Sequence, residues 1–159
     1  MTRMSALLSE LINATGMTDK RSDQAQTVFF TVDDQIVISM AIHPADTESS
    51  ESLKLFTYLG SLPENNRESV LLSLLEADFA KNLTGGATLS IEPRSKAVVL
   101  MHELGAEGLT LTYAQSALEA FTKAALHWKA ALASVENKDS APPISFAQGK
   151  LEIDIGSFI

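Results

Sequence analysis

The 159 residues contain no cysteine. That absence excludes disulfide scaffolds, thiolate zinc sites and cysteine nucleophiles together. Positive charge is also scarce, with 12 Lys and Arg against 20 Asp and Glu and a formal net charge of −8. Binding polyphosphate or an anionic bilayer needs a cationic footprint, so neither nucleic acid nor a membrane surface is an expected partner. No apolar run approaches the length of a membrane span, and membrane insertion is not expected either. Met1-Thr2-Arg3-Met4-Ser5 has no basic region leading into a continuous apolar stretch. A secretory signal is therefore not expected, and the cytoplasm is the default compartment.

Catalytic patterns are missing too. His43, His102 and His127 stand apart, and none has a metal-binding spacing such as H-E-x-x-H. Thr84-Gly85-Gly86-Ala87-Thr88 looks like a phosphate cradle only superficially. It follows a predicted helix and precedes a strand, and it has no Lys, whereas a phosphate site needs a strand feeding a helix N-terminus. No serine lies in a G-x-S-x-G elbow. The sequence therefore predicts no metal, no cofactor and no enzymatic activity.

What is present is one domain with a sizeable core, 45% hydrophobic and 20% charged. The chain is organised around Pro63–Leu100. Val70, Leu71, Leu72, Leu74, Leu75, Ala77, Phe79 and Leu83 cover well over half the circumference of a helix predicted over Glu68–Leu83. A helix lying on one sheet needs a single apolar stripe. The surplus predicts a second partner, and an identical subunit is the simplest. Thr84-Gly85-Gly86 is expected to stop this helix, because glycine tolerates the positive φ of helix ends.

Before it, Met4, Leu7, Leu8, Leu11 and Ile12 make the narrow stripe of a first helix, with Thr2 as N-cap and Gly16 as stop. The stripe is either packed on its own sheet or partly exposed for a client. Residues 17–25 are polar and loop-like. Gln26–Val32 and Gln35–Ile42 alternate around an Asp33-Asp34 turn and predict a hairpin. Pro44–Ser52 reads as a mobile loop and Leu53–Leu62 as a third strand. Phe29, Phe56 and Tyr58 fall on the face opposite the main apolar one, a mild sign that both faces are covered. After the central helix, Ala87–Glu92 and Ala97–Glu103 are two more strands joined by Pro93-Arg94-Ser95-Lys96. Thr112 with Gln115 matches a capping box, and Ala114, Leu118, Phe121, Ala125, Trp128 and Leu132 then recur at helical spacing.

The predicted order is α-β-β-β-α-β-β-α, an α+β fold with an antiparallel twisted sheet and helices packed over its faces. Residues 1–134 form the domain. Residues 135–159 are a linker around Pro142-Pro143 and a tail in which Leu151, Ile153 and Ile155 alternate with Glu152 and Asp154. The tail reads either as frayed chain or as an added strand on a sheet edge.

Three stretches carry a resemblance: Leu59-Gly60-Ser61-Leu62-Pro63, Leu71-Leu72-Ser73-Leu74-Leu75-Glu76-Ala77, and Thr84-Gly85-Gly86-Ala87-Thr88-Leu89-Ser90-Ile91-Glu92-Pro93. In that order they resemble the class I chaperones of bacterial type III secretion, of the Tir chaperone kind. Leu118-Glu119-Ala120-Phe121 and Trp128-Lys129-Ala130-Ala131-Leu132 are similar to the last helix of that family, so the likeness runs over about Met4–Ser134. It implies an acidic homodimer of the bacterial cytoplasm that binds the N-terminal segment of a secreted effector, hydrolyses nothing, and delivers the complex to the secretion ATPase. It further implies dimerisation through the central helix, here Val70, Leu71, Leu74, Leu75 and Phe79. The client surface joined to this reading is Leu7, Leu8, Leu11, Ile12, Phe29 and Phe30. The tail after Ser134 lies beyond the usual end of the fold. Two rivals stand beside it: an adaptor or regulatory subunit of a secretion apparatus that holds a folded partner, and an enzyme with an unusual loop site at 84–88.

Overall fold

The computed structural model describes residues 2–16, 20–21, 27–44 and 50–136. Three helices and six strands follow in the order α1 (Arg3–Thr15), β1 (Lys20–Arg21), β2 (Thr27–Val32), β3 (Ile36–His43), β4 (Ser52–Ser61), α2 (Arg67–Ala80), β5 (Thr88–Ile91), β6 (Ala97–Gly105) and α3 (Leu111–Glu136). The sheet is antiparallel throughout, with strand order β1-β2-β3-β4-β6-β5. The α+β architecture and the order of the main elements are those read from the sequence. The two-residue β1 is new. It lies in the stretch read as loop, where no apolar alternation signals a strand.

Local chemistry explains most boundaries. Thr2 caps α1 by accepting from the backbone N–H of Ser5, and Gly16 ends it at φ 64°. Asp33 and Asp34 both adopt positive φ, so β2 and β3 are joined by the kind of tight turn whose twist suits a hairpin. The cap of α3 is Thr110, not Thr112: the Thr110 hydroxyl accepts from the N–H of Tyr113 at 3.2 Å. Helix α3 also runs two residues past the expected boundary, and Val135 is buried.

The end of α2 differs from expectation in an informative way. The helix stops at Lys81, which takes the left-handed conformation at φ 57°, before the glycines are reached. Leu83 is buried in the turn that follows. Gly85 and Gly86, both at positive φ, serve another purpose. A Cβ on Gly85 would lie 2.9 Å from the carbonyl oxygen of Ala120 in α3. The turn is therefore pressed on α3, and the Trp128 indole N–H fixes it there by donating to the Leu83 carbonyl at 2.9 Å.

All three helices contribute to one core on a single face of the sheet. From α1 come Met4, Leu8, Leu11 and Ile12, from α2 Val70, Leu74 and Ala77, and from α3 Leu118, Phe121, Trp128 and Leu132. They meet Val28, Phe30, Ile36, Ile38, Met40, Leu53, Leu55 and Leu100 of the strands. Burying side chains of this size stabilises by roughly 1.5–3 kcal/mol each before chain entropy is charged against it. Thr57, a polar residue deep in this face, is satisfied by donating to the Val37 carbonyl at 2.8 Å. The expectation that helices cover both faces is corrected: among the described residues none packs on the opposite face. The added strand suggested for Leu151–Ile155 lies outside the described residues.

Gly85→Ala puts a methyl against backbone and strains a positive φ, and we expect it to lower the unfolding free energy by about 2–3 kcal/mol. Gly16→Ala, with open space around it, costs about 1 kcal/mol. Urea denaturation of the two variants checks the difference.

Candidate functional site

Strand alternation puts a second set of side chains on the face away from the helices. The register aligns them in rows. Phe29 pairs with Ser39, Ser39 with Phe56, and Phe56 with Met101. In the next row Thr31 pairs with Val37, and Tyr58 with Val99. An outer face turned to water normally carries polar side chains. Here Phe29 is 42% exposed, Val37 55%, Tyr58 56% and Met101 38%. The Phe56 and Tyr58 rings meet edge to face at 4.9 Å, which organises the middle of the patch. A contiguous apolar face on an acidic chain marks an interaction surface.

The patch continues round the β2 side into an open cleft of about 950 Å³. Phe29, Phe30 and Val32 of β2 line one wall, and Leu118 and Leu126 of α3 line the other, beside the C-terminal end of α1. Glu119 and Lys123 pair at 2.6 Å on its rim, and both are exposed, so the pair adds little stability. The two sheet edges differ. At β5 the edge is occupied by the chain itself: the Leu89 N–H donates to Asp78 Oδ1 at 2.9 Å, and Lys81 Nζ donates to the Ala87 carbonyl at 3.2 Å. At β2, among the described residues, only Lys20 and Arg21 pair on the outer side, opposite Phe29 and Val28. An extended segment can therefore add at β2 but meets α2 side chains at β5.

Helix α2 has two apolar faces, as its composition requires. Val70, Ser73, Leu74 and Ala77 are buried inside the chain. Leu72, Leu75 and Phe79 (57%, 69% and 92% exposed) form a separate stripe at i, i+3 and i+7. Of the residues predicted to join two copies, Leu75 and Phe79 stand free, Leu71 is half-buried against the core, and Val70 and Leu74 are core. Val70 and Leu74 are withdrawn as interface residues, because their own subunit already covers them. Leu72, left out of the predicted set, is the addition. Its signal was present in the spacing to Leu75 and Phe79.

The predicted client residues divide likewise. Leu8, Leu11 and Ile12 are buried, and Leu7 packs half-buried against the same core. The reading that leaves the α1 stripe exposed for a client is thereby corrected. Phe30 is buried in the core and also lines the cleft, whereas Phe29 stands exposed where cleft and outer face join. Val37, Tyr58 and Met101 were missed as site residues. Only pairing register shows that they share a sheet face with Phe29.

A family model described as the Tir chaperone protein (CesT) family matches residues 6–129. The chain belongs to this family. Among curated protein sequences none matches it. Several solved structures share the fold of this family member. The ExsC–ExsE complex contains a chain that superposes with a TM-score of 0.63 at 17% identity, covering 83% of this chain and 97% of that one. The Yersinia pestis type III secretion chaperone SycH, in complex with a stable fragment of YscM2, gives a TM-score of 0.57 at 20% identity and covers 77% and 96%. The ExoT–SpcS complex of Pseudomonas aeruginosa gives 0.57 at 18% and covers 77% and 94%. The family match stops within α3, before the Pro142-Pro143 segment.

Two histidines of this family member are electrostatically perturbed. His102 of β6 lies beside Gly86, whose added Cβ would sit 3.3 Å from the imidazole Cε1, and its buried Nδ1 has no hydrogen-bond partner among the described residues. Burial, and secondarily the nearby Lys81 charge, hold its pKa below the ordinary histidine range. Burial lowers His127 as well, next to Trp128. Among the described residues, no group of three or more His, Cys, Asp or Glu is placed to hold a metal ion. No helix among them is long and apolar enough to cross a membrane.

A lowered folded-state pKa means that the unfolded chain binds the proton more tightly. Stability is therefore full above the ordinary histidine pKa of about 6.5 and falls as pH drops through the folded value. His102→Gln is expected to flatten this loss, read as a smaller shift in urea midpoint between about pH 7.5 and pH 5.5.

Proposed function

We propose that this chain is a type III secretion chaperone that holds the N-terminal segment of a secreted effector in extended, secretion-competent form. The observation that carries the reading is the exposed apolar face built by Phe29, Val37, Tyr58 and Met101, continuous with the cleft beside β2. The family membership supports it, as do the structural neighbours, which include a chaperone–effector complex of HopA1 and SchA.

The physical mechanism follows from the partner. A segment destined for a narrow channel must have its apolar side chains covered without folding into a globule. Pairing with the β2 edge supplies backbone hydrogen bonds with little demand on sequence. The outer face then takes the client's apolar side chains, which provides selectivity. Ordering an extended client costs several kcal/mol, so the client must bury a large area, at about 25 cal/mol per Å², to offset it.

The same proposal includes a homodimer. The stripe of Leu72, Leu75 and Phe79 is the surface that a second copy covers, which doubles the client-binding area and lets one segment run across both subunits. No bond making or breaking is assigned to the chain. Delivery of the loaded complex to the secretion ATPase and a cytoplasmic location belong to this reading too.

Co-expression with isolated N-terminal segments of candidate secreted effectors tests it. A chaperone captures such a segment and keeps it protease-sensitive, whereas an adaptor captures only the folded partner. Phe29→Asp together with Tyr58→Asp should weaken capture at least about tenfold while leaving circular dichroism unchanged. Leu75→Glu with Phe79→Glu should convert the dimer to monomer in light scattering. A wild-type chain that remains monomeric at high micromolar concentration would overturn the dimer.

A further inference from the structure

His102 takes no part in holding a client, yet the chain is built closely around it. It alternates with buried Leu100 and Leu104 on the inner face of β6, opposite Leu55 of β4. It stands one residue beyond the end pair of β5 and β6, Thr88–Met101, where the α2–β5 turn comes in. Gly86 of that turn leaves room for the ring: a Cβ there would lie 3.3 Å from Cε1 and 4.0 Å from Nδ1. Nδ1 is buried and has no partner among the described residues.

The turn against the ring is organised by Lys81. The Lys81 carbonyl accepts from the N–H groups of Thr84 and Gly86, at 3.3 and 3.1 Å. Its ammonium donates to Asp78 Oδ1 at 2.8 Å, to the Ala87 carbonyl at 3.2 Å and to Thr88 Oγ1 at 3.1 Å. Asp78 Oδ1 in turn accepts from the Leu89 N–H at 2.9 Å. One ammonium thus ties together the end of α2, the turn and the start of β5, and its charge reaches His102. Other charged groups are engaged elsewhere. Lys54 and Glu103 face each other at 3.9 Å, and Glu119 and Lys123 of α3 pair on the rim of the β2 cleft. Leu55 of β4, Leu89 of β5 and Ala120 of α3, which border the ring or the turn, are uncharged.

A neutral imidazole suits this place. Protonation adds a second positive charge beside Lys81 and turns buried Nδ1 into a donor with no acceptor. Lifting the turn relieves both costs, because ring and ammonium then reach water. We propose that His102 is an acid-sensitive latch on the β5 edge: its neutral ring supports the Lys81–Ala87 turn, and its protonation lifts that turn, so that Asp78 and Lys81 release the backbone of Leu89 and Ala87. The opened form binds the proton at the ordinary histidine pKa of about 6.5 and the closed form binds it more weakly. Opening is therefore suppressed above about pH 6.5 and favoured as pH falls below it. An opened β5 edge offers an extended segment a second place to pair. That consequence rests on the client reading above; the latch itself does not.

Native-state hydrogen exchange in the full-length chain tests the latch without any client. The Leu89 amide should be less protected than that of Met40 in the sheet centre, so that its exchange reports local opening. Corrected for intrinsic exchange, its protection factor should fall about three- to tenfold between about pH 7.5 and about pH 5.5. His102→Gln should abolish that fall. His127→Gln, on α3 beside Trp128, should leave it intact. Leu89 protection that does not change over this range in wild type would overturn the latch, and so would protection that matches Met40 throughout. A fall that survives His102→Gln, or that disappears in His127→Gln, would overturn it too. Failure of effector capture would leave these results standing, and an inert Leu89 amide would leave effector capture untouched.

Discussion

A sheet has two faces, and the described helices of this chain cover only one. That constraint governs the rest of the structure. Helix α3 is the main lid, laid over β4 with Phe121 and Trp128 fully buried, and it fixes the Leu83–Gly86 turn by a hydrogen bond from the indole and by a backbone approach that only glycine permits. With that turn held, α2 is set at the β5 edge. Asp78 and Lys81 then satisfy backbone groups that would otherwise invite another strand. One edge is closed, and among the described residues the other has two residues of pairing, so the sheet is polarised toward β2.

The same arrangement accounts for the distribution of apolar surface. Residues that meet a helix are core. Those that alternate with them on β2, β3, β4 and β6 stand on a face where Phe29, Val37, Tyr58 and Met101 remain exposed. Helix α2 repeats the pattern, burying Val70, Leu74 and Ala77 while Leu72, Leu75 and Phe79 point outward. Both unsatisfied surfaces are apolar, yet the chain is strongly acidic, and like charge on separate molecules opposes indiscriminate association. A protein that handles another chain's sticky segment needs that combination.

Local sequence was enough for much of the fold. The α1 stripe with its Thr2 cap and Gly16 stop, the hairpin around Asp33-Asp34, and the strands flanking Pro93–Lys96 all follow from short-range patterns whose period is fixed by backbone geometry. Where the reading failed, the deciding interaction lay far away in the chain. Thr112 makes a better local capping signature than Thr110, but packing sets where α3 begins. Gly85-Gly86 reads as a helix stop because glycine often is one, whereas the contact that requires Gly85 is with Ala120. Lys20–Arg21 has no strand signal of its own and is a strand only because β2 offers an edge.

For the site, the sequence alone determined that this chain has more apolar surface than one globule needs, that its charge repels polyphosphate, and that it carries no recognisable catalytic set. Those are properties of composition and short spacing. Which apolar residues are left over was decided by tertiary structure. Leu8, Leu11 and Ile12 are indistinguishable in pattern from an exposed recognition stripe until α3 is laid across them. Val70 and Leu74 differ from Leu72 and Leu75 only in the direction from which the sheet approaches α2. Period gives the faces of a helix or strand; only the packed neighbours say which face is already taken.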